Sequence, residues 1–422
     1  MKYTILTAGC DKNVVLSQKV MAKLNRENER VDDLNDADVI YINTCSFIDA
    51  ARNESLELIR NVYGKGKKII VLGCLPQNAK DVLIREFPEA MIAGCGSYQD
   101  ELNGELPERE GCGIRAYLPI ADGCSRHCTY CSIPSIKGSY RSKPMEGVFR
   151  EAKYLVNTGV REVTLVAQET TLYGEDLYGE NKLVELIRLL SQINGLYRIR
   201  IAYAYPDKIT DELLDEISGN PKVAKFLDIA MQHVSDGVLH RMGRKQTFSS
   251  LEEVMQRIRQ KIPSIFIKNT FLLGFPGETE NDVQILLDFI RRNPSENTGL
   301  FLYSREPGTP AYSMPGQVSP EEMHDRLQIV NNVIHPLGRS LMGKRAGDLQ
   351  RVLIERYDAE RNCYYGYSDY DVEYLGNKTT VFTEEKLRTG DMVMCRVISA
   401  DCIDTFCTYS GGEYGDRNRK DD

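Results

Sequence analysis

Short apolar runs alternate with stretches of helical periodicity through the first quarter of the chain. The runs 3–9, 38–44 and 68–73 read as strands, while 14–24, 47–62 and 78–86 carry the 3.6-residue period of helices. Strand and helix in turn predict a parallel α/β sheet over residues 1–104. Residues 101–115 are rich in Gly, Glu and Pro, the composition of a linker, and 105–115 is assigned to it. The alternation then resumes, with strands expected at 117–121, 162–167, 198–203, 226–229, 266–273 and 298–303. Helical patterns at 145–157, 183–193, 251–262 and 282–292 lie between them. Six strands with helical crossovers predict a partial (β/α)6 barrel over residues 116–345, its site facing the carboxyl ends of the strands. A long helical stretch starts at Pro320, where Ser319 caps and Glu322 completes a capping box, and Pro336 is expected to interrupt it. The pattern ends in short runs without helices at 351–356, 363–367, 371–374, 379–382 and 391–399. These predict a small antiparallel β-barrel over residues 346–409, followed by a disordered tail at 410–422.

Composition adds little to the fold but narrows the function. The 422 residues, 42% hydrophobic and 27% charged, are those of an ordinary globular protein of two or three domains. No apolar run approaches the ~20 residues that span a bilayer, so no membrane partner is expected. The first residues read as a strand and not as an export signal, which predicts a cytoplasmic protein. In that reducing setting the 12 cysteines take metal or catalytic roles before disulfides. A net charge of −8 argues against dependence on a large basic surface for nucleic acid. Residues 341–422 hold 12 Lys/Arg against 16 Asp/Glu, so the terminal barrel is expected to dock a basic protein surface.

The cysteines carry the chemistry. Cys124, Cys128 and Cys131 have the spacing C-x3-C-x2-C in a loop just after the first barrel strand. Three thiolates on one short loop can hold three irons of a four-iron, four-sulfur cluster and leave the fourth open for substrate or cofactor. Zinc competes for such a loop, but structural zinc wants a second C-x2-C pair, and none follows at the usual interval. Upstream, Cys10, Cys45 and Cys74 each end one of the first three strands. Carboxyl ends of parallel strands share one sheet edge, so these three, 35 and 29 positions apart, are expected to converge as a second three-thiolate site. Cys95, Cys112, Cys363, Cys395, Cys402 and Cys407 lack such a pattern and receive no role. Gln168-Glu169 and Gln232-His233 end two barrel strands, and Gly274-Phe275-Pro276-Gly277 ends another, where glycines allow close approach of a ligand. His127 is expected to be a loop residue and not a ligand, since three thiolates already supply the coordination.

These residues together resemble the methylthiotransferases of the radical S-adenosylmethionine superfamily over almost the whole chain. Cys124, Cys128 and Cys131 match the superfamily motif, the upstream trio matches the family's second cluster, and the terminal barrel is similar to its TRAM domain. Gly9-Cys10-Asp11-Lys12-Asn13, Ile133-Pro134-Ser135-Ile136-Lys137-Gly138, Tyr205-Pro206 and Leu227-Asp228-Ile229-Ala230-Met231-Gln232-His233 resemble the branch that modifies ribosomal protein. Asp11 and Ala230 stand where that branch has proline, and Gln18 where an acidic residue is common.

The resemblance implies two 4Fe–4S clusters and S-adenosylmethionine, whose reductive cleavage yields a 5′-deoxyadenosyl radical. The product it implies is a methylthio group on the β-carbon of an aspartate of small-subunit ribosomal protein twelve. Under this resemblance Tyr130 contacts the adenine, together with the turn of Gly274, Pro276 and Gly277. Gln168 and Glu169 reach the ribose or the methionyl amine, and Arg141 is a candidate for the methionyl carboxylate. An electron donor such as flavodoxin or ferredoxin is implied as a further partner. Two other functions stay open at this point: methylthiolation of a transfer-RNA adenosine beside the anticodon, and a two-cluster electron carrier without radical chemistry.

Overall fold

Five parallel strands form the first sheet, in the order Glu29–Arg30, Lys2–Thr7, Val39–Thr44, Lys68–Gly73, Met91–Gly94. The three central strands lie where the apolar runs place them. The two edge strands were missed: Glu29–Arg30 is two charged residues, and Met91–Gly94, though apolar, is only four residues long. Ile40, Ile42 and Val71 pack against Leu56 and Ile59 of helix Asp49–Val62 to make this unit's core. In this computed structural model residues 1–94, 108–371, 376–401 and 404–414 are described. Cys95, Cys402, residues 101–107 of the linker, the run 372–375 and the tail beyond 414 lie outside them.

The middle of the chain contains the expected six parallel strands. One sheet runs Arg198–Ile201, Glu162–Val166, Arg115–Pro119, and the other Phe226–Gln232, Phe266–Leu273, Asn297–Leu302. Parallel bridges Ile199↔Val223 and Ala204↔Ile229 join them into one open barrel wall. The amide of Ala230 donates to Ala204 O at 3.0 Å in this seam, a bond that proline at 230 could not make. Helix Asp211–Gly219, capped by the Thr210 hydroxyl on Leu213 N, was missed by periodicity. Helix Pro320–Gly343 begins at the predicted capping box but runs through Pro336 without interruption. Pro336 is exposed, so the carbonyl it deprives of a partner faces water.

The terminal barrel is closed, in the order Leu349–Asp358, Cys363–Tyr367, Lys378–Phe382, Asp404–Tyr414, Met392–Ala400. It is not wholly antiparallel: Lys378–Phe382 pairs with Asp404–Tyr414 in parallel. Strand directions can alternate around a ring only if the number of strands is even, so a five-stranded barrel needs one parallel pair. The assignment of 410–422 as a tail fails at its start. Residues 410–414 belong to the last strand, where Met392↔Tyr414 and Val393↔Glu413 continue the ladder past Gly411-Gly412. Cys363, Cys395 and Cys407 are buried there, as packed residues.

Two arginines hold this barrel to the middle unit. Arg198 is fully buried, takes Glu162 Oε2 at 2.8 Å, and donates to the carbonyls of Tyr367, Ser368 and Arg351 at 2.8, 3.1 and 2.9 Å. Arg200 binds the carbonyls of Asp369 and Ser368 at 2.7 and 3.0 Å. Arg198→Met is expected to lower unfolding free energy by about 3–5 kcal/mol, because two buried carboxylates each lose a partner: Glu162 keeps Arg200, and Asp369 loses the Arg198 Nε that lies 2.8 Å away. Urea unfolding of both proteins checks this; a loss under about 1 kcal/mol would show the contacts to be dispensable.

Candidate active site

Each cysteine of the first unit follows a strand and opens a helix or its approach. Cys10 precedes helix Asp11–Leu24, Cys45 follows Val39–Thr44, and Cys74 precedes the turn Leu75–Asn78. Gly9 has φ +92°, and a Cβ there would come within 2.6 Å of the Cys45 Cβ, so only glycine lets the first two cysteine segments meet. Buried Asn13 donates to Ala8 O and Thr44 O at 2.8 and 3.0 Å, and Asn43 returns a bond to Asn13 O at 2.7 Å. The Ser55 hydroxyl binds both the amide and the carbonyl of Cys45, at 2.9 and 2.8 Å. Burial pushes the Cys45 thiol up to about 11; Cys10 and Cys74 add to the rise, and the Phe47 and Ser46 amides oppose it. Cys10, Cys45 and Cys74 thus follow the carboxyl ends of three neighbouring strands of one parallel sheet.

The second trio lies at the barrel mouth. Gly123, at φ +76°, would bring a Cβ within 2.2 Å of Ser139 O, so the loop can close only on glycine. The antiparallel pair of Ala121–Asp122 with Arg141–Ser142 closes its base. Burial pushes the Cys131 thiol up to about 12, with Cys128 and Cys124 adding to the rise and the Ile133 amide opposing it. The Arg126 amide donates to Cys124 Sγ at 3.4 Å, and the Tyr205 hydroxyl lies 3.3 Å from Cys128 Sγ.

Around this loop the sequence-assigned residues divide. Tyr130 meets Phe275 edge to face at 6.3 Å, and Arg244 Nη1 lies 3.5 Å from its hydroxyl. Gln168 donates to Asp122 Oδ1 at 3.1 Å, and its own carbonyl oxygen is buried without a hydrogen-bond partner. The Glu169 carboxylate is taken by Arg126 through two bonds of 2.8 and 2.6 Å. Arg141 is exposed. Gly274 and Gly277 both have φ +77°, but their Cα atoms face Met323 and Arg241. Pro276 offers its carbonyl to Arg241 at 3.1 Å. His127 is exposed in its loop.

Arg126 and Arg244 were missed by sequence reasoning, which noted Tyr205 for the family resemblance and gave it no role in the site. Both guanidinium groups lie over the Tyr205 ring, at 4.0 and 4.1 Å, a clamp assembled from segments distant in sequence. His233 is fully buried, accepts from Ser235 N through Nδ1 at 3.0 Å, and is held down to about 4 chiefly by burial. A histidine depressed in the fold is neutral there, so its contribution is present above its ordinary value near 6.5 and lost as pH falls toward 4. Between those values about 3 kcal/mol of stability should disappear. Urea unfolding of wild type and His233→Asn at pH 7 and pH 4.5 checks it; equal pH dependence would exclude His233 as the source.

The two trios are neighbours. Ser132, next to Cys131, donates to Phe47 O at 3.0 Å, two residues past Cys45. Turn Leu75–Asn78, just after Cys74, packs on helix Ile133–Lys137. Glu306, buried on the barrel side, accepts from Asp49 N at 2.6 Å and Arg52 at 3.2 Å, and so fixes helix Asp49–Val62 to the barrel. Val15 of the first unit packs with Tyr117, Val166 and Ala202 of the barrel. Gln18 accepts from Arg109 through Oε1, a role that an acidic side chain would also fill.

Both trios fit iron–sulfur ligation. Backbone N–H groups meet the sulfurs of Cys45, Cys124 and Cys131, and burial disfavours the free thiolate at these three, which suits a group that supplies its own positive charge. Among the described residues, no three His, Cys, Asp or Glu side chains gather closely enough for a single metal ion. A four-iron cluster takes each thiolate on a different iron and so accepts a wider spread than one zinc does.

Residues 118–290 match the model of the Radical SAM superfamily, and residues 2–94 that of the Uncharacterized protein family UPF0004. The chain is 36% identical to the ribosomal protein uS12 methylthiotransferase RimO of Acetivibrio thermocellus, over 96% of this chain and 97% of that one. It is 38% identical to the protein of the same name from Carboxydothermus hydrogenoformans, over 96% and 98%. Among solved structures, the radical S-adenosylmethionine methyltransferase TsrM from Kitasatospora setae, with cobalamin and a [4Fe-4S] cluster bound, shares the fold. Its TM-score is 0.54 at 14% identity, over 74% of this chain and 76% of that one. No described helix is long and apolar enough to cross a membrane. The cysteine loop at the barrel mouth, the matched superfamily and the full-length relatives agree: this chain belongs to the radical S-adenosylmethionine methylthiotransferase family.

Proposed function

We propose that this enzyme transfers a methylthio group to the β-carbon of an aspartate in ribosomal protein uS12, and that it works in the cytoplasm with two 4Fe–4S clusters. One cluster would be held by Cys124, Cys128 and Cys131 and the other by Cys10, Cys45 and Cys74. When bound, these clusters and S-adenosylmethionine supply a radical that removes hydrogen from an unactivated carbon, and the methylthio group that replaces it. The contact between the two cysteine segments, Ser132 on Phe47 and Leu75–Asn78 on Ile133–Lys137, is the observation that carries this reading. It supports a reading in which a sulfur-delivering site and a radical site act on one substrate atom.

The protein's own residues shape the site. Tyr130 and Gln168 would line the S-adenosylmethionine pocket, Gln168 with an unmet acceptor to offer. Glu169 would act from its pairing with Arg126, and Arg141 from the loop edge could take the methionyl carboxylate. The backbone of Gly274, Pro276 and Gly277 would back the adenine through Phe275 and Tyr130. The domains proposed for these tasks are 1–104 for sulfur delivery, 116–345 for radical formation and a TRAM-like 346–409, extended to 414 by its last strand, for docking. The excess of Asp and Glu in the last domain suits a basic ribosomal protein, and a flavodoxin or ferredoxin would supply electrons.

Mass spectrometry of ribosomal proteins and of digested transfer RNA, from cells with and without the gene, tests the assignment. Loss of the methylthio mass from protein uS12 alone is expected. Loss from a transfer-RNA adenosine instead would transfer the enzyme to the nucleic-acid branch.

A further inference from the structure

An aspartate substrate carries its carboxylate directly on the β-carbon that is attacked, and a buried anion needs a positive partner. The cations around the two trios include Arg126, Arg244, Lys137, Lys268 and Lys12, with Arg141 exposed at the loop edge. Arg126 is saturated by Glu169 and Asp207. Arg244 is stacked on Tyr205 and donates to Ala230 O. Lys268 pairs with Asp228 at 3.0 Å, and Lys137 lies 3.9 Å from Asp122.

Lys12 differs from these. It sits two residues past Cys10 in the first turn of helix Asp11–Leu24, and its side chain is 13% exposed. Among the described residues its ammonium donates to Asp11 Oδ1, at 3.2 Å. Adjacent residues on a helix do not face each other, so this pairing holds the ammonium loosely. The ring of Tyr203 lies beneath it at 4.1 Å. Tyr203, two residues past strand Arg198–Ile201, has φ +57°, a conformation that a bulky residue keeps only where the surroundings impose it. Beyond Asp11, the charged and thiol groups facing Lys12 are Cys10 and Asp122, which belong to the two opposite sides of the site. An ammonium has three N–H donors, of which Asp11 takes one and the ring face covers another side.

We propose that Lys12, seated on Tyr203, binds the side-chain carboxylate of the substrate aspartate and so makes the enzyme choose aspartate over its amide. This rests on the protein uS12 reading above. The ammonium would hold the carboxylate by a charge-assisted hydrogen bond, which an uncharged amide in the same place accepts far more weakly. It is a specificity-determining contact between two domains: the cation comes from the first unit and its seat from the barrel.

Binding of two fluorescent peptides to the reconstituted full-length enzyme tests this, one with the target loop of protein uS12 and one with asparagine at the target. Anisotropy of the wild type should show a preference of about tenfold or more for the aspartate peptide, the size of one charge-assisted bond. Lys12→Met should weaken the aspartate peptide by that factor, leave the asparagine peptide unchanged and abolish the preference. Lys12→Arg should restore most of it, and unchanged melting temperatures would show that both variants fold. Equal weakening of both peptides, or a preference that survives in Lys12→Met, overturns the role of Lys12 while wild-type product on protein uS12 still stands. Failure of the wild type both to bind and to modify protein uS12 overturns the substrate reading, and the Lys12 contact with it.

Discussion

Alanine at Cys124, Cys128 or Cys131 should reduce S-adenosylmethionine cleavage by the reduced, reconstituted enzyme to background. The three sulfurs share one short loop whose base is pinned by Gly123 and by the pairing of Ala121–Asp122 with Arg141–Ser142. No other described side chain is positioned to replace a missing thiol: His127 is exposed, and Tyr205 offers only a hydroxyl beside Cys128. Removing one ligand therefore removes the cluster and not merely part of its affinity. The measurement is 5′-deoxyadenosine formed per chain, with iron content alongside. A variant that keeps cleavage at more than about a tenth of wild type would show that this loop does not hold the reactive cluster, since a lost ligand costs metal binding outright.

Cys10, Cys45 and Cys74 should behave in the opposite way. Alanine at any of them is expected to leave cleavage in place and stop formation of methylthiolated product. Iron should fall from about eight to about four per chain, the content of one four-iron cluster. These three sulfurs sit on the other side of the domain contact, joined to each other through Gly9, Asn13 and Asn43 rather than to the barrel loop. Product from such a variant, or about four irons in the wild type, would remove the first unit from sulfur delivery. The pair of experiments separates the trios because each reads a different step.

Much of this was legible in the chain itself. Val39–Thr44 and Lys68–Gly73 are buried along nearly their whole length, so they appear as unbroken apolar runs, and each stops at a cysteine. Parallel topology then required those cysteines to share an edge. The tight spacing of Cys124, Cys128 and Cys131 needed no tertiary information at all, because one loop carries all three.

Arg198–Ile201 shows where that legibility stops. Its alternation of arginine and isoleucine reads as a strand with one wet face, yet all four residues are buried, because the terminal barrel covers the arginine side. Clamp residues Arg126, Tyr205 and Arg244 lie far apart in sequence, and their types alone suggest surface positions. Glu169 likewise shows no sign in the sequence that Arg126 will occupy it.

The sequence alone therefore determined the central strands, the order of the units and the two sets of thiols, because burial period and local spacing are properties of neighbours along the chain. Tertiary structure alone decided which charges became buried and paired, and that the segments carrying the two sets touch through Ser132 and Phe47. The reason is physical: a charge's partner is chosen by proximity in space, and linear distance along the backbone carries almost no information about that.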